Sequence, residues 1–137
     1  METKFNFKSQ VCTDRVQSER LLALGLKPET ADIVYYFSQS LAQDWTIIPL
    51  ADGETARYIQ GLEIPAWSLH RLIEMIPENV SDDWLGVSFD EVSYYHVTGD
   101  GMIGWEYYKV GNIYDCIIEC YEWLIENGSF KKEYLEE

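Results

Sequence analysis

From Leu85 to Val110 the chain alternates between β-compatible runs and short polar breaks, and this pattern limits the available folds more than any other. Leu85-Gly86-Val87-Ser88-Phe89 alternates strictly, Val92 to Val97 is equally strand-like after Asp90-Glu91, and Met102 to Val110 resumes that composition. The intervening Thr98-Gly99-Asp100-Gly101 supplies residues that tolerate positive φ, so the segment predicts a hairpin, extendable to a three-stranded meander. Ile103, Trp105 and Tyr107 then fall on one face of the last strand by simple alternation.

Other segments read as follows. Phe5, Phe7 and Val11 share a face, which predicts an opening strand. A helix follows, with Thr13 as N-cap, Val16, Leu21, Leu22 and Leu24 as apolar surface, Gly25 at its C-terminal stop, and Lys27-Pro28 barring continuation. Ile33-Val34-Tyr35-Tyr36-Phe37 and Trp45-Thr46-Ile47-Ile48, the latter closed by Pro49, predict an antiparallel pair with a loop near Ser38–Asp44. The polar stretch from Ala51 to Gly61 predicts a loop.

Pro65 to Ile76 reads as a helix started by the proline, with Ala66, Leu69, Ile73 and Ile76 as its stripe, Leu72 widening it, and Pro77 as its stop. Asn112 caps the strongest helix, where Ile113, Ile117, Cys120 and Leu124 form an apolar stripe and Asp115, Glu119, Glu122 and Glu126 the opposite, acidic one. Asn127-Gly128 ends it, and Phe130 with Tyr134 predicts one further turn. Strands that outnumber helices without repeated βαβ units predict an α+β fold: an antiparallel sheet of about four to six strands with two or three helices on one face. Residues 1–137 read as a single globular domain, because no linker or internal repeat divides them.

The charge is uneven. Residues 1–71 carry 9 acidic and 7 basic side chains, residues 72–137 carry 15 and 3, and no Lys or Arg lies between Leu72 and Tyr108. A net charge of −14 repels phosphate backbones and anionic membrane surfaces and favours a basic protein partner. Such acidity also serves solubility alone. The absence of a long apolar run or a signal-like start, together with 3 unpaired cysteines, predicts a cytoplasmic protein.

No arrangement of residues compels a chemistry. Cys116 and Cys120 are one helical turn apart, but both belong on or beside the apolar stripe, so neither metal nor cofactor is expected. His70 and His96 are the available general bases, yet no serine sits in a nucleophile-elbow turn. Gly99-x-Gly101-x-x-Gly104 matches the letters of a dinucleotide fingerprint but lies between strands instead of opening a helix. Asp82-Asp83, Asp90-Glu91 and Asp100 lack the alternating oxygen ligands of a calcium loop. No catalytic residue is therefore assigned. The chain is instead rich in aromatics, and Trp105, Tyr107, Tyr94 and Trp67 are taken as binding side chains, with Asp115, Glu119, Glu122 and Glu126 as an acidic docking face.

Three stretches also carry a resemblance. Ser18-x-Arg20-Leu21-Leu22-Ala23-Leu24-Gly25-Leu26-Lys27-Pro28-Glu29-Thr30-Ala31-Asp32, Ile64-Pro65-Ala66-Trp67-Ser68-Leu69-x-x-Leu72-Ile73-Glu74-Met75-Ile76-Pro77, and Trp123-Leu124-Ile125-Glu126-Asn127-Gly128 cover about a quarter of the chain. In these the chain resembles a family of uncharacterised proteins from phages and integrated mobile elements of gut bacteria. The resemblance implies a bacterial cytoplasmic setting and an accessory role, and transfers no activity or ligand.

The leading expectation is a non-enzymatic binding or adaptor module that holds a protein partner through the aromatic hairpin and acidic surface, without binding nucleic acid directly or engaging a membrane. A second is a small enzyme with a pocket between the 65–76 helix and the sheet, using His70 or His96 and a nearby carboxylate. A third is a DNA mimic, which needs carboxylates spaced like phosphates along one face.

Overall fold

β-Branched and aromatic residues build two antiparallel sheets in the computed structural model, which describes residues 9–38 and 44–137. The first has the order β2-β1-β3, from β1 (Ile33–Phe37), β2 (Trp45–Pro49) and β3 (Glu63–Ala66). The second has the order β4-β5-β6-β7, from β4 (Asn79–Val80), β5 (Asp83–Ser88), β6 (Glu91–Val97) and β7 (Ile103–Val110). Helices α1 (Arg15–Ala23), α2 (Leu69–Glu74) and α3 (Ile113–Glu126) complete the described elements, with 3-10 turns at Pro28–Thr30 and Lys132–Tyr134. The fold is α+β with antiparallel strands, as their number and arrangement in the chain predict, and the strands are shared between two sheets instead of forming one.

The predicted hairpin is the continuous meander β5-β6-β7, and β1 pairs with β2 as expected. Phe5 and Phe7 of the expected opening strand lie outside the described residues, as does the 39–43 part of the loop between β1 and β2. Val11 is exposed and in no strand.

Helix α1 starts one residue later than the hydroxyl of Thr13 implied. Asp14 is the N-cap: its carboxylate accepts from the Gln17 N–H at 2.7 Å, while Gln17 Oε1 accepts from the Asp14 N–H at 3.0 Å. Thr13 is buried and links elements instead. Its N–H donates to the Trp67 carbonyl at 2.9 Å and its hydroxyl accepts the Trp67 N–H at 3.1 Å, fastening the start of α1 to the end of β3. Val16 faces solvent, and Leu21 is the fully buried residue of the helix's apolar side. Gly25, at φ +101°, ends the helix as expected, with the Leu26 N–H reaching back to the Leu21 carbonyl.

The Pro65–Ile76 segment is the largest departure from the periodicity. Pro65 does not start a helix; it stands in β3 opposite Val34, on an edge strand where its missing N–H leaves no ladder bond unmade. Ala66 is buried in a small cluster with Cys12 and Ile33. The helix begins only after Ser68, whose hydroxyl accepts the Arg71 N–H at 3.1 Å and donates to Asp32 Oδ2 at 2.6 Å. It ends at Glu74, before Pro77 can stop it. Pairing with β1 overrode the apolar spacing.

Helix α3 follows its prediction. The Asn112 side chain accepts from the Asp115 N–H at 3.2 Å, and Ile117, Cys120 and Leu124 are fully buried. Trp123 packs against the second sheet, with ring centroids 4.8 Å from Tyr107 and 5.7 Å from Tyr94. Phe130 is buried against Tyr121, and Tyr134 meets it edge-on within the last short turn. Among the described residues, no helix is long and apolar enough to cross a membrane.

All 3 thiols are free and buried. Burial pushes the Cys120 thiol up from its ordinary 9.0 to about 12. The unfolded chain therefore loses this proton first. The stabilisation is fully present below pH 9.0 and is lost as the pH rises towards about 12. Urea midpoints for the wild type should fall more steeply between about pH 8 and about pH 11 than those of Cys120→Ala, and equal slopes would contradict this origin.

Candidate binding surface on the four-stranded sheet

Alternation sends one set of side chains from the meander toward α3 and the other away from it. Leu85, Tyr94 and Tyr107 form one cross-strand row on the α3 side, where Tyr94 is fully buried and its hydroxyl donates to the Pro77 carbonyl at 2.7 Å. Trp84, Tyr95 and Trp105 form a row on the opposite side, next to the row Gly86, Ser93 and Tyr108. Trp84, Trp105 and Tyr108 are 55%, 53% and 47% exposed, and Val97, Ile103 and Val110 are exposed as well.

One extra residue in β7 decides which aromatics are displayed. Tyr95 pairs with Trp105 and Tyr94 with Tyr107, so Glu106 is left between them as a β-bulge. Strict alternation would have kept Trp105 and Tyr107 together. The bulge instead leaves Trp105 outside, 5.3 Å from Tyr108 between ring centroids, and turns Tyr107 inward onto Trp123. Among the described residues the Tyr107 hydroxyl has no hydrogen-bond partner, and burial together with nearby Cys120 and Glu119 pushes its phenol up.

Asp83 holds the bulge. This buried carboxylate accepts the Glu106 N–H at 3.1 Å, while His96 Nδ1 lies 3.1 and 3.2 Å from its two oxygens. Since a carboxylate only accepts, Nδ1 carries the proton. Gly104 makes room for the imidazole, because a Cβ there would meet His96 Nε2 at 2.5 Å. Asp83, His96, Trp84 and Tyr95 line a cavity of about 590 Å³.

A second hollow of about 330 Å³ lies on the outer face, and its lining includes Gly86, Glu91, Ser93, Tyr95, Trp105 and Tyr108. Packing over Gly86 is close: an added Cβ would meet Ser93 Oγ at 3.0 Å and Tyr95 Cε1 at 3.2 Å, so these side chains would have to give by a few tenths of an ångström. The Tyr108 hydroxyl donates to Glu91 Oε2 at 2.7 Å, and that bond pushes the phenol up, so it keeps its proton at neutral pH.

Of the four aromatics taken as binding side chains from sequence, only Trp105 belongs to this surface. Tyr107 and Tyr94 face α3, and Trp67 is fully buried at the end of β3. Trp84 and Gly86 are surface-forming residues that the sequence reading does not single out. The alternation of Leu85 to Phe89 extended one residue backward places Trp84 beside Gly86 on the face opposite Leu85. Asp115, Glu119, Glu122 and Glu126 are all exposed on α3. Asp115 is engaged there, accepting from Gln17 Nε2 at 2.7 Å with Arg20 Nη1 4.0 Å away. The other three line a cleft of about 230 Å³ with Tyr107, Lys109 and Trp123.

The two imidazoles do not converge. His70 lines a cavity of about 650 Å³ between α2 and the start of α3 and pairs with Glu74 at 2.7 Å, whereas His96 belongs to the Asp83 cavity. Carboxylates of 72–137 are spread over α2, the strand turns, β7, α3 and the tail. Among the described residues no cluster of His, Cys, Asp and Glu could hold a metal ion. No family model, curated protein or solved structure matches this chain.

Proposed function

We propose that this protein is a binding or adaptor module that holds a basic protein partner on the outer face of the β5-β6-β7 meander. The observation that carries this reading is the aromatic display itself, with Trp84, Trp105 and Tyr108 each about half exposed on one sheet face. Tryptophan and tyrosine provide large, stiff, amphipathic contact area and are enriched where partners bind most tightly. The charge supports a basic partner. An overall −14, concentrated in the half of the chain that forms this sheet, speeds encounter with a positive surface and discourages nucleic acid. The accessory role in a bacterial mobile element, implied by the three resembling stretches, is part of the same proposal.

Capture from host lysate with the purified protein as bait tests the reading. A stoichiometric partner should be retained by the wild type, released as salt rises, and lost on Trp84→Ser with Trp105→Ser. Both side chains are more than half exposed, so the double variant should keep the far-ultraviolet circular dichroism of the wild type. Equal capture by the folded double variant would exclude this face as the site.

A further inference from the structure

We infer that the hollow over Gly86 is a seat for a single arginine side chain of the protein partner, stacked on Trp105 and paired with Glu91. This assignment rests on the reading of the outer sheet face as a protein-binding surface and adds the chemistry that would be recognised there. Three observations converge on it. Trp105 and Tyr108 form an aromatic corner, their rings 5.3 Å apart and tilted by 59°, so that a planar group entering the hollow meets a ring face on one wall and a second ring at an angle. Among the described residues Glu91 is the hollow's only charged lining residue. Gly86 contributes no side chain to the floor, where a Cβ would crowd Ser93 and Tyr95.

The combination selects among ligands. Ring faces attract cations through their quadrupole, and the attraction strengthens as the cation is desolvated. A carboxylate at the edge of the same hollow adds direct ion pairing, and repels phosphate or an acidic side chain. Lysine could satisfy the charge but presents a compact ammonium. The guanidinium is planar, sheds water more readily, stacks on an aromatic face and presents its N–H fork to a carboxylate at the same time. The Tyr108 hydroxyl already donates to Glu91 Oε2, which fixes the carboxylate against the aromatic corner. Lys109, the nearest cation in sequence, lines the cleft beside α3 and not this hollow.

Titration of the full chain, labelled with nitrogen-15, provides the test. The probes are three acetylated and amidated pentapeptides of glycine with a central arginine, lysine or citrulline. Arginine peptide should shift the Trp105 indole signal, assigned by its loss in Trp105→Ala, and the amides of Gly86 and Tyr108. Citrulline, which keeps the shape and loses the charge, should bind about fivefold more weakly or worse, and lysine should fall short of arginine. Glu91→Gln should reduce arginine binding by about fivefold, since its amide oxygen can still accept from Tyr108 while the charge is gone.

Equal shifts with citrulline, parity of lysine with arginine, shifts confined to the acidic side of α3, or no shift at all would each overturn the assignment. Its failure is separable from that of the broader reading. Partner capture that disappears in the Trp84/Trp105 double variant but is unchanged in Glu91→Gln would leave the binding face and remove the arginine seat. Capture indifferent to both variants removes the face itself.

Discussion

Trp67→Ala is expected to lower the unfolding free energy by about 3–5 kcal/mol, measured by urea or guanidinium denaturation at neutral pH. The side chain has no exposed surface, and its truncation would leave a cavity among residues contributed by several elements of the main core. It would also leave the Thr30 hydroxyl without the indole N–H that donates to it at 3.0 Å. Thr30 sits in the 3-10 turn before β1, Thr13 precedes α1, and both bond to Trp67, so one residue closes three segments together. Trp67→Phe separates the causes. It restores much of the volume and none of the N–H, so an intermediate loss is expected. A loss below about 1 kcal/mol for the alanine variant would contradict this account.

The second large effect is at Asp83. Asp83→Ala should lower stability by about 1–3 kcal/mol, because the Glu106 N–H of the bulge loses its acceptor and the carboxylate's place against His96 is emptied. Its functional consequence is more diagnostic. Without the anchor, β7 can return to regular pairing, which would put Trp105 and Tyr107 on one face and so turn one of them over. The Trp105 indole signal should therefore shift in Asp83→Ala, and capture of the partner should weaken although Asp83 lies behind the proposed contact surface. Asp83→Asn retains an oxygen for the Glu106 N–H and should keep most of the bulge. If the alanine variant leaves the Trp105 signal unchanged, the bulge is held by strand pairing alone.

Much of this architecture was legible from local signals. Gly25 and Asn112 sit where helix stops and starts require them, and the Thr98 to Gly101 break joins β6 to β7 as turn chemistry predicts. The class of fold follows from strands that outnumber helices. Segments fail where two readings of one stretch were locally similar. Pro65, Ala66 and Leu69 fit a helical stripe and equally an edge strand followed by a capped turn. The register with β1 chose the strand, since it buries Ala66 and places Pro65 where no N–H is needed.

The candidate site shows the same division more sharply. Aromatic abundance in the meander and the excess of carboxylates are properties of composition, and they motivate the proposed binding surface and basic partner. Which aromatics face outward is not. Trp67 and Tyr94 are as aromatic as Trp84 and Tyr108, but the first pair carries the core. Tyr107 was separated from Trp105 by a single bulged residue whose N–H is satisfied by a carboxylate 23 positions earlier. A long-range bond of that kind leaves no periodic trace.

By itself, then, the amino-acid order determined the antiparallel α+β class, the glycine stop of α1, the ends of α3, the meander and the acidic bias of its second half. Each depends on residues within a few positions of one another, where capping, turn geometry and alternation act. Tertiary structure decided the division into two sheets, the strand at Pro65, the inward turn of Tyr107 and the outward row of Trp84, Tyr95 and Trp105. These depend on which distant segments share a ladder and which face of that ladder α3 covers, and side-chain burial against a distant partner outweighs local preference wherever the two compete.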